Sequence, residues 1–345
     1  MTTAHRSSPW LMLAYATLLC TAGPLAYSAT EVNVYSARKE ALIKPLLDQF
    51  TQETGIAVNL VTAKGDALLT RLQREGRNSP ADVLITTDAG RLYRAQEAGV
   101  LQPVFSEFLD AAIPAHLRSA EGYWYGLSVR ARVFVYAKDR VKPAQLSSYQ
   151  ALAGPQWQHR VCIRSSSNIY NQSLVAGMLA TQGADKTQAW LDDFVGSFAR
   201  PPQGGDRDQV KAVAAGQCDV AVINSYYLGA MVDSTDDAEH GAAAKVALFW
   251  PNQDGRGTHI NISGAGVTAA ATHVSEATRL IEFLARDESQ QWYAQINMEY
   301  PVRVDIAPSE LLKSWGDFKA DPLAMTELGK FNTAAVMAMD RAGWK

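Results

Sequence analysis

The chain has 345 residues, 47% of them apolar and 19% charged, a length for two domains and a balance that suits a soluble protein with a sizeable core. A net charge of −3 with no Lys/Arg-rich run excludes the electrostatic footprint of a nucleic-acid binder. GxSxG, HExxH, a phosphate loop, CxxC and a dinucleotide fingerprint after the first strand are all missing, which removes the motif support for the common hydrolase, kinase and dehydrogenase classes.

The N-terminal stretch reads as a secretory signal. His5 and Arg6 precede an apolar run from Trp10 to Cys20, and small residues gather at Ala26, Ser28 and Ala29. The run is short for a membrane span, so cleavage near Ser28 or Ala29 is expected, with residues 1–29 lost and the mature chain exported to the periplasm. An uncleaved anchor is the alternative. Lipoprotein processing at Cys20 is disfavoured by Leu19, because a small residue usually stands there. Cys162 and Cys218 then remain; export permits them to pair, and two buried thiols are the other reading.

The mature chain opens on the alternating strand Glu31–Tyr35. A helix follows over 40–53, with Leu42, Leu46, Leu47 and Phe50 at helical spacing and Gly55 at its end. Residues 57–61 form a second strand, and Asp66 starts a helix with Leu68, Leu69 and Leu72 on one side. A third strand covers 82–86. This β-α-β-α-β order predicts a mostly parallel sheet with helices on both faces. The grammar returns with a strand over 161–164, a helix over 170–180, a helix over 206–215 and a strand over 219–223. Strand-rich 123–136 and the Gly-containing 263–269 are expected to cross between two α/β halves.

Tyrosines stand at the ends of two of these strands. Tyr170 follows 161–164 through a serine run, and Tyr226 and Tyr227 follow 219–223 through Asn224-Ser225. In doubly wound sheets ligands bind beyond the carboxyl ends of strands, so these phenols can converge. A Tyr-Tyr pair that merely packs an apolar edge is the competing reading.

The segments Arg164-Ser-Ser-Ser-Asn-Ile-Tyr-Asn-Gln-Ser173, Asn224-Ser-Tyr-Tyr-Leu-Gly229 and Phe249-Trp-Pro-Asn-Gln-Asp-Gly-Arg-Gly-Thr-His259 resemble the bacterial periplasmic ferric-ion-binding proteins of ABC iron uptake systems. So do Tyr35-Ser-Ala-Arg38 and Gly126-Leu-Ser-Val-Arg-Ala-Arg-Val133, and the similarity runs through nearly the whole mature chain. The resemblance implies a type II periplasmic binding protein fold: two Rossmann-like α/β domains joined by crossover hinge strands. Residues 30–125 with roughly 265–310 would form one domain, roughly 126–264 the other, and 311–345 C-terminal helices packing across both.

It also implies that Tyr170, Tyr226 and Tyr227 bind Fe(III) and that an inner-membrane ABC permease receives it, with no substrate turned over. The chemistry agrees: Fe(III) is a hard ion that prefers anionic oxygen, and a phenol ionises near neutrality only beside a strong cation. Some relatives add a histidine from the first strand–helix loop, which here reads Arg38-Lys39-Glu40. The expectation is therefore a three-tyrosine site completed by carbonate or another oxyanion. Arg38 and Arg130 would hold that anion, with Ser165 at a helix N-terminus as a further contact. Arg132 rivals Arg130, and an ion-pair role is the alternative for both Arg38 and Arg130. Glu40 is expected to serve the first turn of its helix, and Asp88 to be structural. A monomer is expected. Competing functions are carriage of another small solute such as an organic cation or oxyanion, a sensory role for the loaded form, and a metal-dependent hydrolase with Glu40 or Asp88 as its base.

Overall fold

The computed structural model describes residues 1–5 and 30–345. The apolar run and cleavage site of the expected signal peptide lie outside the described residues. Among the described residues no helix is long and apolar enough to cross a membrane.

The first half follows the expected order: β1 (Glu31–Ser36), α1 (Glu40–Thr54), β2 (Ala57–Thr62), α2 (Gly65–Glu75), β3 (Val83–Thr87), α3 (Ala89–Glu97) and α4 (Glu107–Ala112). Strand β1 lies between β2 and β3, parallel to both. Helix α1 buries Ile43, Leu46, Leu47 and Phe50; Ile43 takes the inward position that spacing had given to Leu42.

The long strand β4 (Tyr125–Ala137) is buried along its whole length. After it come β5 (Val161–Cys162), α5 (Ile169–Gln182), α6 (Ala184–Phe194), α7 (Asp206–Ala214), β6 (Val220–Asn224), α8 (Ser225–Val232), α9 (Asp237–Ala244) and β7 (Val246–Phe249). The return strand β8 (Ile260–Val267) precedes α10 (Val274–Leu284), α11 (Asp287–Gln295), β9 (Tyr300–Pro301), α12 (Glu310–Ser314), α13 (Met325–Lys330) and α14 (Asn332–Arg341).

Strand order is β2-β1-β3-β8-β4-β6-β5, with β7 and β9 also pairing β4. Parallel pairing is confined to the two ends of this order, β1 with β2 and β3, and β5 with β6. The middle is antiparallel, because β4 and β8 run past each other between the halves. The first part of β4 pairs β8, up to Ala131 opposite Ile260. From Arg132 opposite Asn224 it pairs β6. One strand thus belongs to both halves. Their close approach explains Gly264, where a Cβ would stand 2.5 Å from the Tyr125 carbonyl oxygen.

Strand β5 is two residues long, shorter than the expected 161–164. Beyond Cys162 the loop finds other partners. Asn171 donates its side-chain amide to the carbonyls of Arg164 (2.9 Å) and Ser165 (3.1 Å), and Gln172 donates to that of Ser166 (3.0 Å). These bonds replace ladder bonds and turn the chain into α5. Cys162 and Cys218 form a disulfide. It ties β5 to the residue pair leading into β6, so the two strands that lead toward the tyrosines are covalently joined.

The C-terminal helices bridge elements of both halves, with α13 against α3 and α5, and α14 against α5 and α6. Trp344 is buried and donates to the carbonyl of Arg164 at 3.0 Å. Gly329 lets α13 lie directly on α3, since a Cβ there would come within 2.2 Å of the Tyr93 Cβ. Gly329→Ala is expected to destabilise the protein by about 1–3 kcal/mol, the range of overpacking at a tight contact. Urea unfolding would measure it, and an unchanged midpoint would contradict the packing described.

Candidate functional site

Two helix starts carry the phenols. Asn168 caps α5, its side chain accepting from the Tyr170 amide at 3.2 Å, which sets Tyr170 in the first turn. Strand β6 is entirely buried and runs straight into α8, so Tyr226 and Tyr227 occupy that helix's first turn. The two turns face each other: the Tyr226 hydroxyl donates to the Tyr170 hydroxyl at 3.3 Å. The rings of Tyr226 and Tyr227 lie 4.3 Å apart, centroid to centroid. The structure therefore brings all three tyrosines together at the strand ends.

Burial, reinforced by the neighbouring phenols, pushes the Tyr226 hydroxyl well above its ordinary range, although Arg130 pulls the other way. Burial likewise pushes Tyr227 up to about 12. Without a cation these phenols are neutral near pH 7. They become strong oxyanion ligands only when a multivalent cation displaces their protons. Among the described residues no group of three or more His, Cys, Asp or Glu could hold a metal.

Arg132 is the floor of this arrangement. It is 1% exposed and donates to Asp206 at 3.2 Å, to Asn224 at 3.2 Å and to Asn171 at 2.6 Å. Those partners begin α7, end β6 and sit in the first turn of α5. Both of its Nη atoms are thus bonded, joining α5, α7 and β6, while its Nε is buried without a partner; Arg130 has only Nη2 bonded.

Arg130 differs in what it leaves free. It donates one nitrogen, Nη2, to Ser263, while Nε and Nη1 are buried without a partner. Its guanidinium carbon lies 5.6 Å from the Tyr226 ring centre and 6.0 Å from that of Tyr170. Both N–H forks of a guanidinium share Nη2, which Ser263 holds, so the free Nε–H and Nη1–H are single charge-assisted donors for a small oxyanion. Arg164 approaches the Tyr170 ring centre to 5.7 Å.

Arg38 is buried and engaged. Its Nη2 donates to Ser128 and to Glu299, each at 2.6 Å, and its Nε is buried without a partner. Ser165 is partly exposed, with its hydroxyl 3.0 Å from that of Ser167. Glu40 is exposed in the first turn of α1. Asp88 is buried with φ 84° and caps α3. It also accepts from Ser173 and from the Asn261 amide, each at 2.8 Å, fastening α3 to α5 and β8.

Glu299 escaped the sequence reading altogether. Burial alone would raise its pKa, but Arg38 and then Arg130 outweigh it and hold the carboxyl below its usual range. Its partners Arg38 and Ser128 are 261 and 171 residues away in the chain, so no local spacing signals it.

Two α/β halves sharing crossover strands have the architecture of type II periplasmic binding proteins, and solved structures similar to this one share it. Residues 78–319 match the model of the bacterial extracellular solute-binding proteins, and the chain belongs to that family. It is 47% identical to iron uptake protein A1 of Synechocystis, over 91% of this chain and 88% of the relative. The Trichodesmium protein IdiA (FutA), solved with iron and citrate, superposes with a TM-score of 0.89 at 48% identity, covering 91% of this chain and all of that one. Apo FutA2 of Synechocystis gives 0.87 at 44% identity, covering 92% and 100%.

Proposed function

We propose that this protein is a periplasmic carrier that captures Fe(III) with the phenolates of Tyr170, Tyr226 and Tyr227 and delivers it to an inner-membrane ABC permease. The meeting of the Tyr170 and Tyr226 hydroxyls at 3.3 Å, with the Tyr227 ring packed against that of Tyr226, carries the reading. Three phenolates balance the charge of Fe(III). The iron named in the relatives' descriptions agrees with that donor set. The remaining coordination positions fall to carbonate or a similar oxyanion held by the free N–H groups of Arg130, with Arg38 behind it and Ser165 at the rim.

The tyrosines, on the half formed by residues 126–264, take the ion first. The other half, residues 30–125 with 265–310, then closes over it, and binding shifts the open–closed equilibrium by its preference for the closed form. The carrier works as a monomer and turns nothing over.

The test is a visible titration of metal-stripped protein with ferric citrate. A strong phenolate-to-iron band is expected, saturating at one iron per chain. Each phenolate formed releases a proton, so up to about three protons should appear per iron. The sign follows: lowering the pH adds the competing proton, and affinity falls as the solution is acidified. Absence of the band, with no rise in thermal stability on adding iron, would reject the reading and turn the search to organic cations and free oxyanions.

A further inference from the structure

Behind the tyrosines one carboxylate serves two guanidiniums. Glu299 is 4% exposed, between α11 and β9. Its Oε2 accepts from Arg38 Nη2 at 2.6 Å and from the Ser128 hydroxyl. Its Oε1 lies 3.7 Å from Arg130 Nη2. Arg38 and Arg130 are 5% and 1% exposed, so the group is sealed from solvent and its charges are poorly screened.

The other carboxylate acting on Arg130 is Asp88. It spends its oxygens on Gly90, Ser173 and Asn261, and forms no ion pair with either arginine. Within the ion-paired group, two fixed positive charges therefore meet one negative charge. Three guanidinium N–H positions, Nε of Arg38 and Nε and Nη1 of Arg130, are buried with no acceptor. A buried donor without a partner is costly, and these three call for an acceptor from outside the chain.

We propose that Glu299 is the specificity-determining residue for the anion that completes the site. By neutralising one of the two arginines, it leaves room for about one negative charge and favours a singly charged oxyanion over a dianion, which narrows the anion of the proposed site to hydrogencarbonate or a similar monoanion in place of carbonate itself. The inference rests on the three-phenolate reading above, in which tyrosines and Fe(III) cancel in charge, so the arginine group alone sets the preference. Glu299 reaches the anion through Arg38 and Arg130 and is itself no ligand.

The experiment uses the iron-loaded, full-length mature protein. Formate and oxalate are titrated in turn while the phenolate band is followed, giving a Kd for each. In Glu299→Gln, which keeps the shape and removes the charge, the preference should move toward oxalate by about tenfold or more, as expected for one extra buried positive charge. Arg38→Gln should move it the opposite way. The double variant Arg38→Gln/Glu299→Gln restores the charge balance and should restore the wild-type ratio, which gives a second test even where Glu299→Gln folds poorly. A role confined to holding the fold would weaken both anions equally and leave the ratio unmoved in every variant, and that result overturns the proposal. No band in the wild-type protein would instead reject the iron reading itself.

Discussion

Replacing Tyr226 and Tyr227 together by phenylalanine is expected to abolish tight Fe(III) binding while leaving the fold intact. Among the described residues the two hydroxyls bond only within the tyrosine cluster, as from Tyr226 to the Tyr170 hydroxyl, so their removal deprives the scaffold of little. The rings remain, and with them the tilted ring contact at 4.3 Å. What disappears is two of the three anionic oxygens that a hard trivalent ion requires. Loss of an outer-shell partner alone weakens metal binding by about 10–100-fold; loss of two ligands should exceed that range and extinguish the visible band. Competition against a chelator would measure the change. Affinity within a few-fold of wild type would mean that the metal sits elsewhere. Thermal unfolding of the metal-free variant should match that of the metal-free parent.

The second large effect concerns stability. Arg132 and Asp206 are 1% and 0% exposed and lie 3.2 Å apart. Arg132→Met would fill much of the same volume and leave the Asp206 carboxylate buried. Its remaining polar neighbours are the Asn224 amide at 3.4 Å and Arg164 at 3.7 Å. Removing one partner of such a pair costs about 3–5 kcal/mol, because the other charge stays desolvated. The urea midpoint should fall accordingly. Adding Asp206→Asn to Arg132→Met should recover part of the loss, which a double-mutant cycle would resolve. The exposed pair Lys44–Asp48, with side chains 50% and 63% accessible, is the control; its removal should cost no more than about 1 kcal/mol. Equal effects at the two pairs would contradict the account of Arg132 as the floor beneath the tyrosines.

Much of this architecture can be read from local pattern. The strands and helices of the first half follow hydrophobic period, and their bounds shift by a residue or so. Ile43 displaced Leu42 as an inward residue of α1, because spacing identifies a stripe while packing chooses its centre. The tyrosines were legible since they follow strand ends directly, where a parallel sheet opens its crevice. Strand β5 was over-extended because Ile163 and Arg164 are as compatible with a strand as the residues before them. What ends it is Asn171, whose amide takes the Arg164 carbonyl. The cysteine pairing was open for a similar reason. A separation of 56 residues says nothing of proximity until β5 and β6 are known to be neighbours. Glu299 lies furthest from sequence reading: a lone carboxylate beside Tyr300 and Pro301 has no pattern, and its meaning comes only from arginines brought in by other strands.

The sharing of β4 between the two halves has a mechanical consequence. The β8 ladder of β4 ends at Ala131 and the β6 ladder begins at Arg132, while the Arg132 amide still donates to the His259 carbonyl at 2.9 Å. Arg130 sits just before that point, bonded to Ser263 on β8. Arg132 sits just after it, bonded to Asn224 and Asn171. Two arginines two residues apart are therefore tied to different halves. Under the proposed closure, a rotation of one half against the other would carry Arg130 with β8 and Arg132 with the helices that bear the tyrosines, so the distance from Arg130 to the phenols would report the angle of the cleft.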